Sequence, residues 1–391
     1  MSDSFTKVES SSWGSRLGNA LKGIVVGLVL LLVGGVLLFW NEGRAVHRAR
    51  TLEEGASVVV HVPATVVEPR NDGKLVHVTG RAEASGPVND PDFGVEAGAL
   101  ALARHVEMYQ WVEESHSETR KKLGGGTETV TTFSYSKQWR PDAVDSSRFE
   151  KPAGHENPPM PVGSGSWTAD RVTLGAFVLD PAFVSQIAVD SPLAPDEGVV
   201  RAVAAALDRP AVAAGDAVFV GADVASPAVG DLRIRWETAP EQTVSVVGRQ
   251  RAGRIEPYQA SKGTIALLEP GTRSADAMFQ SAKQANVTMT WILRGLGFLL
   301  LFFGFQAVFA LFSVLADVVP FLGSLVGIGV GIVSFLLAGL VGTSIVALAW
   351  LFYRPLLGIA LLGVAVVLLV LLIRHGRKAA PAPPPPPPPG A

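Results

Sequence analysis

The sequence predicts a membrane protein with four transmembrane α-helices, one N-terminal and three C-terminal, and a large β-rich α+β extracytoplasmic loop domain between the first and second. Three observations predict it. The chain has 391 residues, of which 48% are hydrophobic and only 17% charged, and its mean hydropathy is +0.32. Its longest apolar runs lie at the two ends. The polar middle alternates in the period of strands. A net charge of −2 and the absence of Cys exclude an electrostatic nucleic-acid binder, a disulfide scaffold and a Cys-ligated metal site.

The first helix is predicted over 23–40, after a cytoplasmic N-terminal tail over 1–22. Gly23 to Trp40 carries no charged or strongly polar side chain. Eighteen helical residues reach about 27 Å, close to the hydrocarbon thickness of a bilayer. No small-x-small cleavage site follows, so an uncleaved anchor is expected rather than a signal peptide. Three further helices are predicted at 294–316, 323–348 and 355–373. Asp317 to Pro320 separates the first two, and Arg354-Pro355 precedes the last. A basic, then polyproline cytoplasmic tail closes the chain over 374–391. The tails hold Lys7, Arg16, Lys22, Arg374, Arg377 and Lys378, and short charged tails outweigh long loops in setting orientation. Both termini are therefore expected in the cytoplasm and the loop outside or lumenal.

The loop, 41–290, is long enough for real cores. Arg104–Glu114 alternates, with His105, Glu107, Tyr109 and Trp111 on one face. Gly124-Gly125-Gly126 marks a turn. Thr127–Arg140 returns with Phe133, Tyr135 and Trp139 on a common face. The two runs predict one long β-hairpin with facing aromatics. Further strands are predicted at Asp231–Glu237, Thr243–Arg251 and Thr264–Leu268, and helices at Pro195–Leu207 and from an N-cap at Ser274 toward the membrane.

Certain segments are more specific than their hydropathy. These are Asn41-Glu42-Gly43-Arg44-Ala45, Gly73-Lys74-Leu75-Val76-His77, Arg104-His105-Val106-Glu107-Met108-Tyr109-Gln110-Trp111-Val112-Glu113, Tyr135-Ser136-Lys137-Gln138-Trp139, Val229-Gly230-Asp231-Leu232-Arg233 and Trp350-Leu351-Phe352-Tyr353-Arg354-Pro355-Leu356. In this order and spacing they resemble the LUMA family, also called transmembrane protein 43. The resemblance runs from about Gly23 to about Arg374. Ala/Gly/Val-rich usage and zero Cys suggest a prokaryotic member. The polyproline tail and short N-terminal segment depart from the animal proteins.

The resemblance implies a four-helix protein with one large lumenal loop, placed outside the plasma membrane in a bacterium. Its eukaryotic members sit in the endoplasmic reticulum and inner nuclear membrane, organise membrane protein complexes and self-associate. It implies no catalytic activity and no cofactor.

Chemical motifs are sparse. His105 and Glu107 share a strand face, but two ligands are too few for a metal centre, and a polar strand face is the plain alternative. Ser134-x-x-Lys137 points its two side chains to opposite faces, against a nucleophile–base pair. No GxxxxGK[ST] or HExxH occurs, and Gly327-x-Gly329-x-Gly331 lies inside a predicted membrane helix.

The candidate interaction residues are Tyr109 and Trp111 on the long hairpin, Gly323, Gly327 and Gly331 at four-residue spacing in the third helix, and Arg354 at its end. Small residues at that period let helix backbones approach, within the chain or between protomers. Domain core is the alternative for Tyr109 and Trp111. Pro383 to Pro389 forms an extended type II helix, either a ligand for a polyproline-binding domain or a stiff solvated end. The expected function is a non-enzymatic scaffold in the bilayer that contacts other membrane proteins and itself. A channel or transporter of oligomerised C-terminal helices and a membrane-tethered hydrolase are the alternatives.

Overall fold

The computed structural model describes residues 3–356 and 359. They divide into two compact units. The first contains residues 1–16, 47–286 and 316–322; the second contains 17–46, 287–315 and the chain from 323 onward. The predicted fourth helix, beyond its first residues, and the tail over 374–391 lie outside the described residues.

In chain order, the structure begins with β1 (Asp3–Ser11) and α1 (Trp13–Val58), then β2 (Val60–His61), β3 (Leu75–Ala84), β4 (Val88–Asp90) and β5 (Val95–Ala97). The long hairpin is β6 (Ala101–Lys121) and β7 (Thr127–Arg140). Short pieces follow: β8 (Gly165–Thr168), β9 (Val172–Leu174), β10 (Phe177–Leu179), α2 (Pro181–Val184) and β11 (Ser191–Leu193). Then come α3 (Glu197–Leu207), β12 (Ala211–Ala214), β13 (Ala217–Val220), β14 (Leu232–Ala239), β15 (Gln242–Arg251) and β16 (Arg254–Glu256). The last strands are β17 (Tyr258–Ala260), β18 (Gly263–Ile265) and β19 (Leu267–Pro270), before α4 (Ala275–Ala316) and α5 (Pro320–Tyr353).

The first unit holds two main sheets. One has the order β1-β7-β6-β14-β13-β12, with β8 on β6 and β11 on β14. Its buried face carries Leu102, Val106, Met108, Val218, Val220, Leu232, Ile234 and Trp236, packed with Val203 of α3. Asp196 caps α3 by accepting the Val199 amide at 2.8 Å, as an N-cap carboxylate should.

The core of this sheet contains a buried ion pair between Arg104 and Asp90. Arg104 is 4% exposed. It donates to both oxygens of Asp90 at 2.7 and 2.9 Å, to Asp92 at 2.7 Å and to the Gly163 carbonyl at 3.1 Å. Trp236 Nε1 donates to Asp90 at 2.9 Å. Phe93 and Trp167 flank the guanidinium at 4.9 and 5.2 Å. A buried ion pair is tolerated only when its remaining hydrogen-bonding sites are filled in this way. The network ties the β4–β5 excursion to the sheet.

The second sheet closes on itself. Strands β15, β16, β10, β9 and β3 pair in sequence, and β3 returns to β15. The ring leaves only the short strands β2 and β19 at edges, which limits unwanted pairing. Val76, Val78, Leu174, Phe177, Leu179, Phe183, Val244, Val246 and Ile255 fill its core. β2 and β19 extend it.

Three helices, α1, α4 and the Gly323–Tyr353 part of α5, are long and apolar enough to cross a membrane. Their ends differ from the expected spans. α1 begins at Trp13 rather than 23 and runs through Arg44 to Val58. Its polar flanks continue the helix, capped at the start by Ser12, whose hydroxyl accepts the Ser15 amide at 3.2 Å. α4 begins at Ala275 rather than 294, with Ser274 accepting the Ala277 amide at 3.2 Å, as the N-cap expectation had it. α5 runs over Pro320–Tyr353.

Within the expected N-terminal tail over 1–22, the structure forms a strand and the start of α1. Asp3–Ser11 pairs antiparallel with β7 through nine register partners, from Asp3 with Tyr135 to Ser11 with Thr127. Sequence reading missed this strand because its alternation is weak and its partner lies more than a hundred residues away.

The contact is reinforced at the hairpin end. Asp317, 1% exposed, pairs with Arg16 and with Lys121 at 2.6 Å. Arg16 also donates to the Gly125 carbonyl at 2.6 Å. Burial pushes the Asp317 carboxyl up, but Lys121 and Arg16 outweigh it and hold it below the usual carboxylate range. The chain has no Cys, so Val8→Cys with Val130→Cys, register partners in β1 and β7, is expected to form a disulfide under mild oxidation. Failure to cross-link, while a Val130→Cys/Glu118→Cys control on register partners of β7 and β6 does cross-link, would separate the N-terminal strand from the sheet.

Candidate functional site

The second unit is a bundle of apolar helices, and its polar side chains are concentrated at one level. α1 supplies Asn41, Glu42, Gly43 and Arg44; α4 supplies Thr290, Trp291 and Arg294; α5 supplies Trp350 and Tyr353. Two of the specific segments noted in the sequence, Asn41–Ala45 and Trp350–Leu356, therefore meet.

Glu42 is the centre. It is 1% exposed. Arg294 donates Nε to one carboxylate oxygen at 2.7 Å and Nη2 to the other at 3.0 Å. Trp350 Nε1 donates to Oε2 at 2.8 Å. The fork geometry is the strongest form of the carboxylate–guanidinium pair. Arg294 also lies over the rings of Trp291 at 4.8 Å and Trp350 at 5.9 Å, where cation–π attraction adds to it.

A second set of bonds lies beside it. Asn41, fully buried, donates to the Thr290 carbonyl at 3.0 Å. Arg44 donates to Asn41 Oδ1 at 3.1 Å and to Thr290 Oγ1 at 3.0 Å. Gly43 is required by close approach: a Cβ there would stand 2.6 Å from the Tyr353 ring. The site joins three helices by charge, hydrogen bond and contact. It can hold helices in one register and orientation.

Below this level the bundle is apolar. Leu38, Leu301 and Ala338 are buried together with Leu31, Phe298, Phe302 and Ile345 around them. α1 and α4 approach at Gly27 and Gly304, where a Cβ on Gly27 would come within 2.7 Å of the Gly304 carbonyl. Outward residues such as Val25, Leu32, Trp291 and Phe303 are exposed, as lipid-facing side chains are.

The glycines singled out in the sequence lie elsewhere. Gly323 accepts a bond from Ser313 Oγ at 3.2 Å. A Cβ on Gly327 would meet Ser313 Oγ at 3.4 Å, and one on Gly331 would meet Gln306 Nε2 at 3.7 Å. All three face α4 of the same chain. Arg354 is exposed just past α5.

On the hairpin, Tyr109 and Trp111 are half-buried. Tyr109 lies 5.2 Å from its register partner Trp139, and Arg233 covers Trp139 at 4.2 Å. Trp111 meets His155 edge-on at 4.7 Å and Lys137 at 4.8 Å. Asn157 pins its backbone, donating to the Trp111 carbonyl at 2.9 Å and accepting its amide at 2.7 Å. Beside them Tyr135 donates to Glu113 at 2.7 Å; burial, then that carboxylate, push its phenol up to about 12. The segment around residues 144–157 thus covers much of the aromatic strip.

His105 and Glu107 do not converge on a common point. His105 pairs with Glu237 at 3.2 Å, while Glu107 lies between Arg233 and Arg235 at 3.9 and 3.8 Å. Among the described residues no three His, Cys, Asp or Glu side chains form a metal-binding group.

Sequence reasoning missed Glu42, Thr290 and Arg294 as a site. The available signal was an acidic residue just past one apolar run and a basic one just before another. Apolar spans joined through such a polar level, with a large β-rich unit between them in the chain, define a multi-pass type of membrane protein. The family model for Transmembrane protein 43 matches residues 108–355. Transmembrane protein 43 of Rattus norvegicus is 36% identical over 89% of this chain and 88% of its own length. That of Homo sapiens is 34% identical over 92% of each. The Drosophila melanogaster homolog is 32% identical over 86% of this chain and 90% of its own. The chain belongs to the transmembrane protein 43 family. No solved structure matches it.

Removing one partner of a buried ion pair costs about 3–5 kcal/mol because the other charge is left unpaired. Glu42→Ala is therefore expected to lower the thermal midpoint of the detergent-purified protein by several degrees. Arg294→Met added to Glu42→Ala is expected to recover part of that loss. Strictly additive losses in this double-mutant cycle would mean the two groups do not interact.

Proposed function

We propose that the protein is a non-enzymatic membrane scaffold, which fixes a large β-rich unit at the bilayer and assembles other membrane proteins, or further copies of itself, around it. The observation that supports the reading best is the interhelical polar level. Glu42, Arg294 and Trp350 satisfy one another, which suits a site that holds helices together rather than one that turns over a substrate. The part of the aromatic strip of Tyr109, Trp111 and Trp139 that the 144–157 segment leaves half-exposed is the proposed contact surface of the β-rich unit. Half-buried aromatic residues ringed by Lys137 and Arg233 have the composition of interface anchors. Gly323, Gly327 and Gly331 serve the proposal by holding α5 to α4, and exposed Arg354 as an interfacial anchor.

Of the sidedness that the tail charges favour, we propose to keep the C-terminal end in the cytoplasm, since an N-terminal strand paired with the loop's own hairpin shares that hairpin's compartment. β1 holds residues 3–11 against the hairpin end. Leu123→Cys, at an exposed turn position, therefore reports the compartment of the N-terminal strand as well.

The test is in-cell cross-linking of the full chain, extraction in mild detergent, sizing, and identification of co-purifying proteins by mass spectrometry. A defined homo-oligomer or a discrete partner set, depleted by Trp111→Ala with Lys137→Ala, is the expected outcome. Deleting residues 380–391 is expected to leave membrane accumulation intact and to remove only partners that bind polyproline. A lone monomer with no partners in every sample would overturn the scaffold reading.

A further inference from the structure

Two histidines meet where the chain leaves one membrane helix and enters another. α1 ends at Val58 and β2 follows at Val60–His61. β2 runs parallel to β3 with His61 opposite His77. The two Nδ1 atoms are 2.9 Å apart. His77 is 3% exposed, and its Nε2 lies 2.8 Å from the carbonyl oxygen of Arg273. Ser274, the next residue, caps α4. The pair thus connects the root of α1 to the root of α4.

The tautomers follow from the partners. A carbonyl oxygen only accepts, so His77 Nε2 carries a hydrogen. In a neutral His77 the Nδ1 lone pair then faces His61, which supplies its own Nδ1–H. One added proton is accommodated, because a single hydrogen still lies between the rings whichever His carries the charge. A second added proton sets N–H against N–H and cation against cation at the same short distance.

Among the described residues no carboxylate acts on His77. β3 and β15 present Thr79, Ser245 and Val247 beside and opposite His77. On the segment before α4, Arg273 pairs with Glu269 at 3.8 Å. Burial, and after it the neighbouring His61, keep the His77 imidazole below its ordinary value against the bond to the Arg273 carbonyl.

We propose that the His61–His77 pair is a proton-operated latch, closed with one or no added proton and opened by the second, which loosens the attachment of β2 to the α4 root in an acidic compartment. Because His77 binds its proton less readily folded than unfolded, the stabilisation is present above about pH 6.5 and is lost as pH falls toward its lower folded value. The bonds from Arg273 N to Ser245 Oγ, 2.8 Å, and from Ser245 Oγ to the Gly271 carbonyl, 3.0 Å, do not titrate. The opening is therefore local rather than global unfolding.

The test is hydrogen–deuterium exchange of the full chain in detergent at pH 7.5 and 5.5, corrected for the intrinsic pH dependence of exchange. Peptides covering 59–62 and 272–279 are expected to lose protection at least tenfold at the lower pH, while peptides from β13 and β14 do not. His61→Asn keeps an amide donor in place of Nδ1–H without titrating, and His77→Gln keeps the donor to Arg273. Each is expected to abolish the response. If His77→Gln does not fold, His61→Asn, at an exposed ring, carries the test alone. Equal protection at both pH values in the unmodified protein, or a full response in His61→Asn, would overturn the latch.

Discussion

A carboxylate that is taken out of water must be matched where it stands, and Glu42 sets that requirement for the helical unit. Its two oxygens receive three donors from two other helices. Small shifts of any helix would leave charge unpaired in a low-dielectric region, where the penalty is several kcal/mol. Apolar packing alone is less demanding, since lipid tails are as apolar as Leu and provide little drive to bring helices together. Glycine contacts such as Gly27 with Gly304 allow the approach; the polar level specifies which approach.

The β-rich unit solves a related problem differently. Long sheets expose edges, and edges invite pairing. One sheet reduces the difficulty by closing β3 onto β15. The other covers the flank of β7 with the chain's own first strand. Arg104 repeats, within the β-rich unit, the logic of Glu42. A charge is buried with enough partners to make one arrangement preferable to its neighbours, here by binding Asp90 and Asp92 from a separate excursion.

How much of this was legible in the sequence depended on the range of the interaction. The long hairpin announced itself, because alternation and a triple glycine are local signals, and Tyr109 does face Trp139. The apolar cores of α1, α4 and α5 were equally plain. Their ends were not, because hydropathy marks where lipid stops and not where backbone hydrogen bonding stops; Arg44 to Val58 is polar and still helical. β1 has too little pattern of its own and is a strand only because β7 offers an edge. The pairing of Glu42 with Arg294 needed the third dimension. The specific run Asn41–Ala45 suggested family before it suggested geometry, and only the meeting with Trp350 and Tyr353 gives those residues a physical task.

The separation of Glu42 and Arg294 along the chain, 252 residues, bears on how the protein is made. Synthesis proceeds at roughly 5–20 residues per second, so about ten to fifty seconds pass between the emergence of the acid and that of its partner. During that interval the carboxylate of the first helix stands without the donors that later meet it. All strands from β2 to β19 are synthesised within the same interval. Docking of α4 against α1 through Glu42 therefore waits until every intervening strand has been synthesised.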